Sequence, residues 1–99
     1  VPFGKFPAVH RDLSLVLDRR IECGAIMDII KEEGRDLLES VHVFDLYEGE
    51  RIDQSKKAIS FKISFRSDRG TLDGEEVNGL YEASVEKIGQ KTGGKLREG

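Results

Sequence analysis

The stretch from Lys57 to Arg66 (KAISFKISFR) constrains this chain more than any other. Side chains of an extended strand alternate between its two sides. Ile59, Phe61, Ile63 and Phe65 therefore share one face, and Ser60, Lys62, Ser64 and Arg66 share the other. A strand divided in this way needs a sheet with one face under a packed layer and the other in water. The watery face is small, polar and basic. Phosphates are attracted to Lys and Arg on such a surface, and bases stack on neighbouring rings.

The preceding stretch supplies a ring. Leu38 to Glu48 reads as a strand whose pattern changes phase, with Val41 and Val43 on one side and Phe44 and Leu46 on the other. A β-bulge near Val43 reconciles the two halves, because one extra residue reverses the alternation. It places all four apolar side chains inside and turns Asp45 and Tyr47 outward. Gly49 to Lys56 (GERIDQSK) then forms a polar connection, making a long-looped hairpin with the strand that follows.

Elsewhere, Leu13, Leu15 and Leu17 alternate with Ser14 and Val16, predicting a first strand over Asp12 to Asp18. Ile26, Ile29 and Ile30 recur at helical spacing between Gly24 and Glu33, and Gly34 is a natural stop. Asp73 can cap a second helix, with Glu76 placed to return the bond as in a capping box. Val77, Leu80, Tyr81, Ser84, Val85 and Ile88 trace its inner stripe. Thr92 to Gly94 ends it, and Lys95 to Arg97 leaves room for a short last strand. The order β-α-β-β-α-β predicts an α+β, ferredoxin-like sandwich: a four-stranded antiparallel sheet with both helices on one face and the first and third strands central. Ser14, Ser60, Lys62 and Ser64 then occupy the middle of the open face, beside Asp45 and Tyr47.

Composition fits one domain over residues 1–99, with 1–5 an extended lead-in, since the 99 residues are 37% hydrophobic and 35% charged. No apolar run approaches the roughly 20 residues of a membrane-spanning helix. The start has no secretory pattern, and Cys23, the single cysteine, rules out an internal disulfide or a thiolate cluster. These features predict a cytoplasmic setting, no membrane partner and a monomer. A start at Val1 and not at methionine suggests a piece of something longer. The formal charge of −3 opposes simple phosphate attraction. However, the acidic residues concentrate in the helices (Asp28, Glu32, Glu33, Glu75, Glu76, Glu82, Glu86), so a local basic face can coexist with the total.

Catalytic and metal chemistry find little footing. His10 and His42 are isolated, without a partner at helical ligand spacing. Arg11 and Asp12 read as groups that tie the incoming segment to the sheet by hydrogen bonds or an ion pair. Cys23 reads as a packing residue near a helix start. Gly93 and Gly94 follow a helix instead of leading into one, so they form a turn and not a phosphate cradle. On pattern alone Tyr47 is either a stacking ring or part of the core edge. Likewise, Lys56, Lys57, Lys62 and Arg66 are either phosphate contacts or solvated charges.

FPAVHRDLSLVLD (Phe6 to Asp18), LLESVHVFDLYEGE (Leu37 to Glu50), KKAISFKISFRS (Lys56 to Ser67) and TLDGEEVN (Thr71 to Asn78) resemble, in order and spacing, the ferredoxin-fold anticodon-binding domain that closes the β subunit of bacterial phenylalanyl-tRNA synthetase. The resemblance covers Phe6 to Arg97. It implies an RNA-binding appendage with no catalytic residue, metal or cofactor of its own, while ATP and magnesium serve the parent ligase elsewhere. The partners it implies are the anticodon stem-loop of phenylalanine tRNA, the rest of the β subunit and the α subunit of an α2β2 enzyme. It places Asp45 and Tyr47 where the family addresses anticodon bases, and Ser14 and Ala58 at the border of that surface. With Ser60, Lys62 and Arg66 from the strand pattern, and Lys57 from beside the hairpin loop, these form the candidate RNA-binding set. Two positions depart from the family: Gly70 separates Arg69 from Thr71 where Arg-Thr-Leu is usual, and Ala58 stands where serine is frequent.

Two readings of other classes stay open. One is a regulatory or protein-docking module that uses the open sheet. The other is an acylphosphatase-like enzyme, which needs a Gly-rich phosphate loop after the first strand, where Arg19 to Cys23 (RRIEC) offers none.

Overall fold

A computed structural model describes residues 6–49, 53–67 and 69–97. The expected lead-in at 1–5 and the middle of the connection at 50–52 lie outside the described residues. The elements run β1 (Val9–Asp18), α1 (Cys23–Gly34), a 3-10 turn (Arg35–Leu37), β2 (Leu38–Tyr47), β3 (Lys56–Phe65), α2 (Gly74–Thr92) and β4 (Lys95–Leu96). The strands form one antiparallel sheet in the order β2-β3-β1-β4, with the first and third strands central as expected.

β1 and β3 pair without interruption from Val9 opposite Phe65 to Asp18 opposite Lys56. This register sets Leu13, Leu15 and Leu17 beside Phe61, Ile59 and Lys57 on one side. That side carries the core: Leu13, Leu15, Ile59, Phe61 and Ile63 are fully buried, packed with Ile26 and Ile30 of α1 and Val77 and Ile88 of α2. The isoleucines of α1 face the sheet because they recur at i, i+3 and i+4. In α2 the inner stripe buries Val77, Ser84 and Ile88, and the Ser84 hydroxyl donates to the Leu80 carbonyl (2.9 Å).

The helix ends differ from expectation in detail. Asp73 caps α2 by accepting from the Glu75 amide (2.9 Å), and the reciprocal bond from Glu76 is not among the hydrogen bonds of the described residues. At the other end Gly93 takes the left-handed conformation (φ 75°), where glycine is least strained. Gly34 ends α1 for a different reason. Its backbone is right-handed, and Arg35 carries the positive φ (51°). A Cβ on Gly34 would stand 2.8 Å from the Leu38 Cβ, so glycine here permits the close approach of α1 to β2.

The expected bulge lies between Val43 and Asp45, with Phe44 as the extra residue. Its phase reversal puts Asp45 opposite Ser60 and Tyr47 opposite Ala58, on the open side. The apolar half of that expectation is corrected. Only Val41 is buried (5% exposed), whereas Val43, Phe44 and Leu46 are 39%, 54% and 54% exposed. β2 is an outer strand: the helical layer covers it at Val41 but not at Val43 and Leu46, whereas Phe44, the bulge residue, has its ring beside Lys62 of the open side. A second irregularity, at Glu39, lies near the start of β2.

Candidate nucleic-acid interface

On the open side, cross-strand pairs form rows. Ser40, Ser64 and His10 make one row, His42, Lys62 and Asp12 the next, then Asp45, Ser60 and Ser14, and last Tyr47, Ala58 and Val16. These rows arise from the alternation of β1 and β3 combined with the phase shift in β2. The structure thus brings Ser14, Asp45, Tyr47, Ala58 and Ser60 into two adjacent rows, with Lys62 beside them.

The floor of this surface is small and nearly closed. Ala58 and Ser60 are 4% and 8% exposed although no helix lies above them. Ser14 Oγ and Ser60 Oγ are 2.8 Å apart and share a hydrogen bond, which leaves the half-buried Ser14 with capacity for a further partner. His10 Nδ1 and Ser64 Oγ make a similar pair at 2.8 Å. Around the floor stand longer groups. Asp45 is exposed, and Tyr47 is half-buried with its hydroxyl end against Gly49, where an added Cβ would meet Oη at 2.5 Å. Gly49 therefore gives the ring room to lie against the backbone. Lys62 is exposed, its Nζ 5.6 Å from the centre of the Phe44 ring, within the range of a cation–π contact.

Two of the predicted contacts do not join this group. Lys57 pairs with Leu17 and alternates in phase with Ile59, so it belongs to the helix side of the sheet. The neighbouring Lys56, opposite Asp18, takes the open side instead. Arg66 has the open-side phase but lies six residues beyond Ser60, about 20 Å along the strand at ~3.3 Å per residue. There its Nε is 2.6 Å from Glu39 Oε2, an ion-pair contact whose geometry does not make a hydrogen bond. The net result is fewer free cations near the floor than the strand pattern implies.

The start of β1 behaves as a structural tie. Arg11 donates to Asn78 Oδ1 of α2 (3.3 Å) and to the His10 carbonyl (2.9 Å), and the Tyr81 hydroxyl donates to the Asp12 carbonyl (3.3 Å). Burial pushes the Tyr81 phenol above its ordinary pKa. At the loop end of the sheet, the Arg20 side chain and amide bond the Asp18 carboxylate and hold its pKa down to about 2. Arg19 pairs with Glu48 at 3.3 Å and ties the ends of β1 and β2 together. Among the described residues, no group of three or more His, Cys, Asp or Glu side chains could hold a metal ion, and no helix is long and apolar enough to cross a membrane.

Sequence reasoning missed Arg97. Its backbone N–H donates to the Ser14 carbonyl (2.8 Å), continuing the β4 pairing by one residue, and its Cζ lies 5.5 Å from the centre of the Tyr47 ring. The signal was present in the phase of the last strand: Lys95 opposite Val16 puts both Lys95 and Arg97 on the open side.

The family model described as the ferredoxin-fold anticodon binding domain matches residues 4–97. The chain is similar to the phenylalanine–tRNA ligase beta subunit of Dehalococcoides mccartyi, 40% identical over 96 residues, which are 97% of this chain and 12% of that protein. It is also similar to the corresponding subunit of Shouchella clausii, 39% identical over 93 residues (94% and 12%), and to that of Thermotoga maritima, 39% identical over 92 (93% and 12%). The chain spans about an eighth of the length of these relatives.

Proposed function

The chain belongs to the ferredoxin-fold anticodon-binding domain family, and on that premise we propose that its open sheet face binds the anticodon stem-loop of phenylalanine tRNA. One observation carries the reading: the bulge at Phe44 brings Asp45 and Tyr47 onto the same side as the small floor of Ser14, Ala58 and Ser60. A ring beside small side chains lets a splayed-out base stack at close range, an interaction worth about 1–3 kcal/mol per base. The Asp45 carboxylate is acceptor-only and suits an exocyclic amino group or a ring N–H on the edge of that base. Ser14 offers a hydroxyl to a second base, and Ala58 leaves the space that a larger side chain would fill. Lys62 supplies a phosphate contact beside them.

With a net charge of −3, nonspecific attraction to phosphate is weak, and shape and base contacts carry the selectivity. In the parent protein, this domain acts as a tRNA-holding appendage of a cytoplasmic β subunit. Aminoacylation, with its ATP and magnesium, takes place in the α subunit.

The reading is tested by titrating the 15N-labelled domain with a phenylalanine tRNA anticodon stem-loop at low salt, with a stem-loop of unrelated anticodon as control. Amide signals of Ser14, Asp45, Tyr47, Ser60 and Lys62 shift with the cognate loop. Shifts confined to the helices, or none at millimolar RNA, overturn it.

A further inference from the structure

The contact between Arg97 and Tyr47 joins the two outer strands of the sheet. β2 and β4 are separated by β3 and β1, so their backbones lie about 14 Å apart, three spacings of roughly 4.8 Å. Arg97 is anchored at its base by the Ser14 carbonyl, and from there its side chain crosses the open face to bring Cζ to 5.5 Å from the ring centre. Under this bridge lie the small residues of the floor. The low exposure of Ala58 and Ser60, on a face with no helix above it, is consistent with cover from long side chains at the rim.

The Arg97 guanidinium meets a ring in a chain rich in carboxylates. Arg19, Arg20 and Arg66 each pair with an acid and Arg11 bonds Asn78 and a carbonyl, whereas among the described residues Arg97 has no carboxylate within ion-pair distance and its guanidinium meets a neutral ring. An exposed cation–ring contact is weaker than the stacking of a base on the same ring, and a guanidinium gains more from a phosphate, which it can grip through two parallel hydrogen bonds. Both halves of the contact therefore improve when a nucleotide arrives.

We propose that Arg97 holds the stacking place on Tyr47 in the RNA-free domain and yields it to an unpaired base, its guanidinium then turning to the backbone phosphate next to that base. This exchange rests on the RNA-binding reading above and goes beyond it by naming a residue that covers the ring before binding and grips the strand afterwards. It also gives the acidic domain a cation kept off the carboxylates of the described residues.

The experiment follows the Arg97 side-chain signals by NMR. In the free domain, the ring current of Tyr47 displaces the Arg97 δ-methylene protons upfield. The displacement persists in Tyr47→Phe, which keeps the ring, and is lost in Tyr47→Ala. At saturation with the anticodon stem-loop, the Arg97 protons return to their unstacked position and the Tyr47 ring protons take on the displacement of a stacked base. Arg97→Ala binds with a salt slope shallower by about one phosphate contact, and Arg97→Lys restores the slope without restoring the free-state contact. Absence of the displacement in the free wild-type domain overturns the exchange. So does Arg97 remaining displaced in the complex while Ser14, Asp45 and Ser60 amides move, an outcome that leaves RNA binding itself standing. If none of those amides responds to RNA, both readings fall.

Discussion

The two faces of the β1–β3 ladder share one register and bury their residues by different means. Along β3, exposure reads 0% at Ile59, 8% at Ser60, 0% at Phe61, 0% at Ile63 and 7% at Ser64, so apart from the exposed Lys62 both faces look closed by number. On the helix side, closure comes from large apolar groups meeting α1 and α2, which is where the hydrophobic stabilisation of the fold resides. On the open side, closure comes from smallness. Alanine and serine sink between longer neighbours, and little apolar area is removed from water. The same fractional burial therefore marks stability on one face and shape on the other.

Adjacent residues on opposite faces separate these meanings, and Phe61 against Ser60 gives the largest contrast. Phe61→Ala leaves a cavity in the packed layer and costs about 3–5 kcal/mol in urea unfolding. Ser60→Ala removes only the partner of the Ser14 hydroxyl and costs about 1 kcal/mol or less. Comparable losses from the two would dissolve the distinction. Next in size is Tyr47→Ala, which weakens binding of the stem-loop by about 1–3 kcal/mol while changing stability by under about 1 kcal/mol, measured by fluorescence anisotropy and urea melts on the same samples.

The helix side was readable in the sequence because its signal is redundant. Alternation in β1 and β3 and the isoleucine spacing in α1 all point to one buried layer, and the element order then fixes the topology. The phase change at Val43 was readable as well, since Asp45 and Tyr47 have a common side only if a bulge intervenes. What escaped was anything set by the coverage of an outer strand. Phe44 and Leu46 look like core residues by composition, yet Leu46 has the helix-side phase without a helix to cover it, and Phe44, the bulge residue, sets its ring beside Lys62 on the open side. Lys57 stands beside the hairpin loop as a candidate phosphate contact, yet its phase, shared with Ile59, puts it on the helix side. Arg97 required knowing that a two-residue strand would dock beside β1 and aim a long side chain across the sheet.

Charge on the open side offers a finer contrast, between Lys62 and Arg66. Both have the open-side phase, but Lys62 stands next to the Asp45 and Ser60 row whereas Arg66 is held by Glu39 at the far end. Lys62→Ala is expected to reduce the slope of log binding constant against log salt by about 1, and Arg66→Ala to leave it unchanged. Loss of the Arg66–Glu39 pair shows instead in stability, by about 0–1 kcal/mol for a partly exposed ion pair. Equal slopes for the two variants would mean that the open face is a uniform basic platform with no localised reader.

The smallest effect concerns the loop end of the sheet, where Asp18 stands opposite Lys56 and accepts hydrogen bonds from Arg20. These bonds, the Arg20 side chain first, lower its pKa from 3.8 to about 2. A carboxyl whose pKa is lower folded than unfolded binds protons more readily in the unfolded chain. Its contribution to stability is therefore fully present above pH 3.8 and fades as the pH falls toward 2. The group is open to solvent, so the contribution is screened and small. Among the described residues the helix-side core cluster contains no carboxyl group, and its stabilisation is independent of pH in the same window. Asp18→Asn should accordingly lose less stability than the wild type between pH 4 and pH 2, with the two curves parallel above pH 5, in urea unfolding across that range. Parallel curves throughout would show that the Asp18–Arg20 pairing adds nothing to folding, leaving this end of the open face to be held by the Arg19–Glu48 pair and the backbone bond from Arg19 to Ser55.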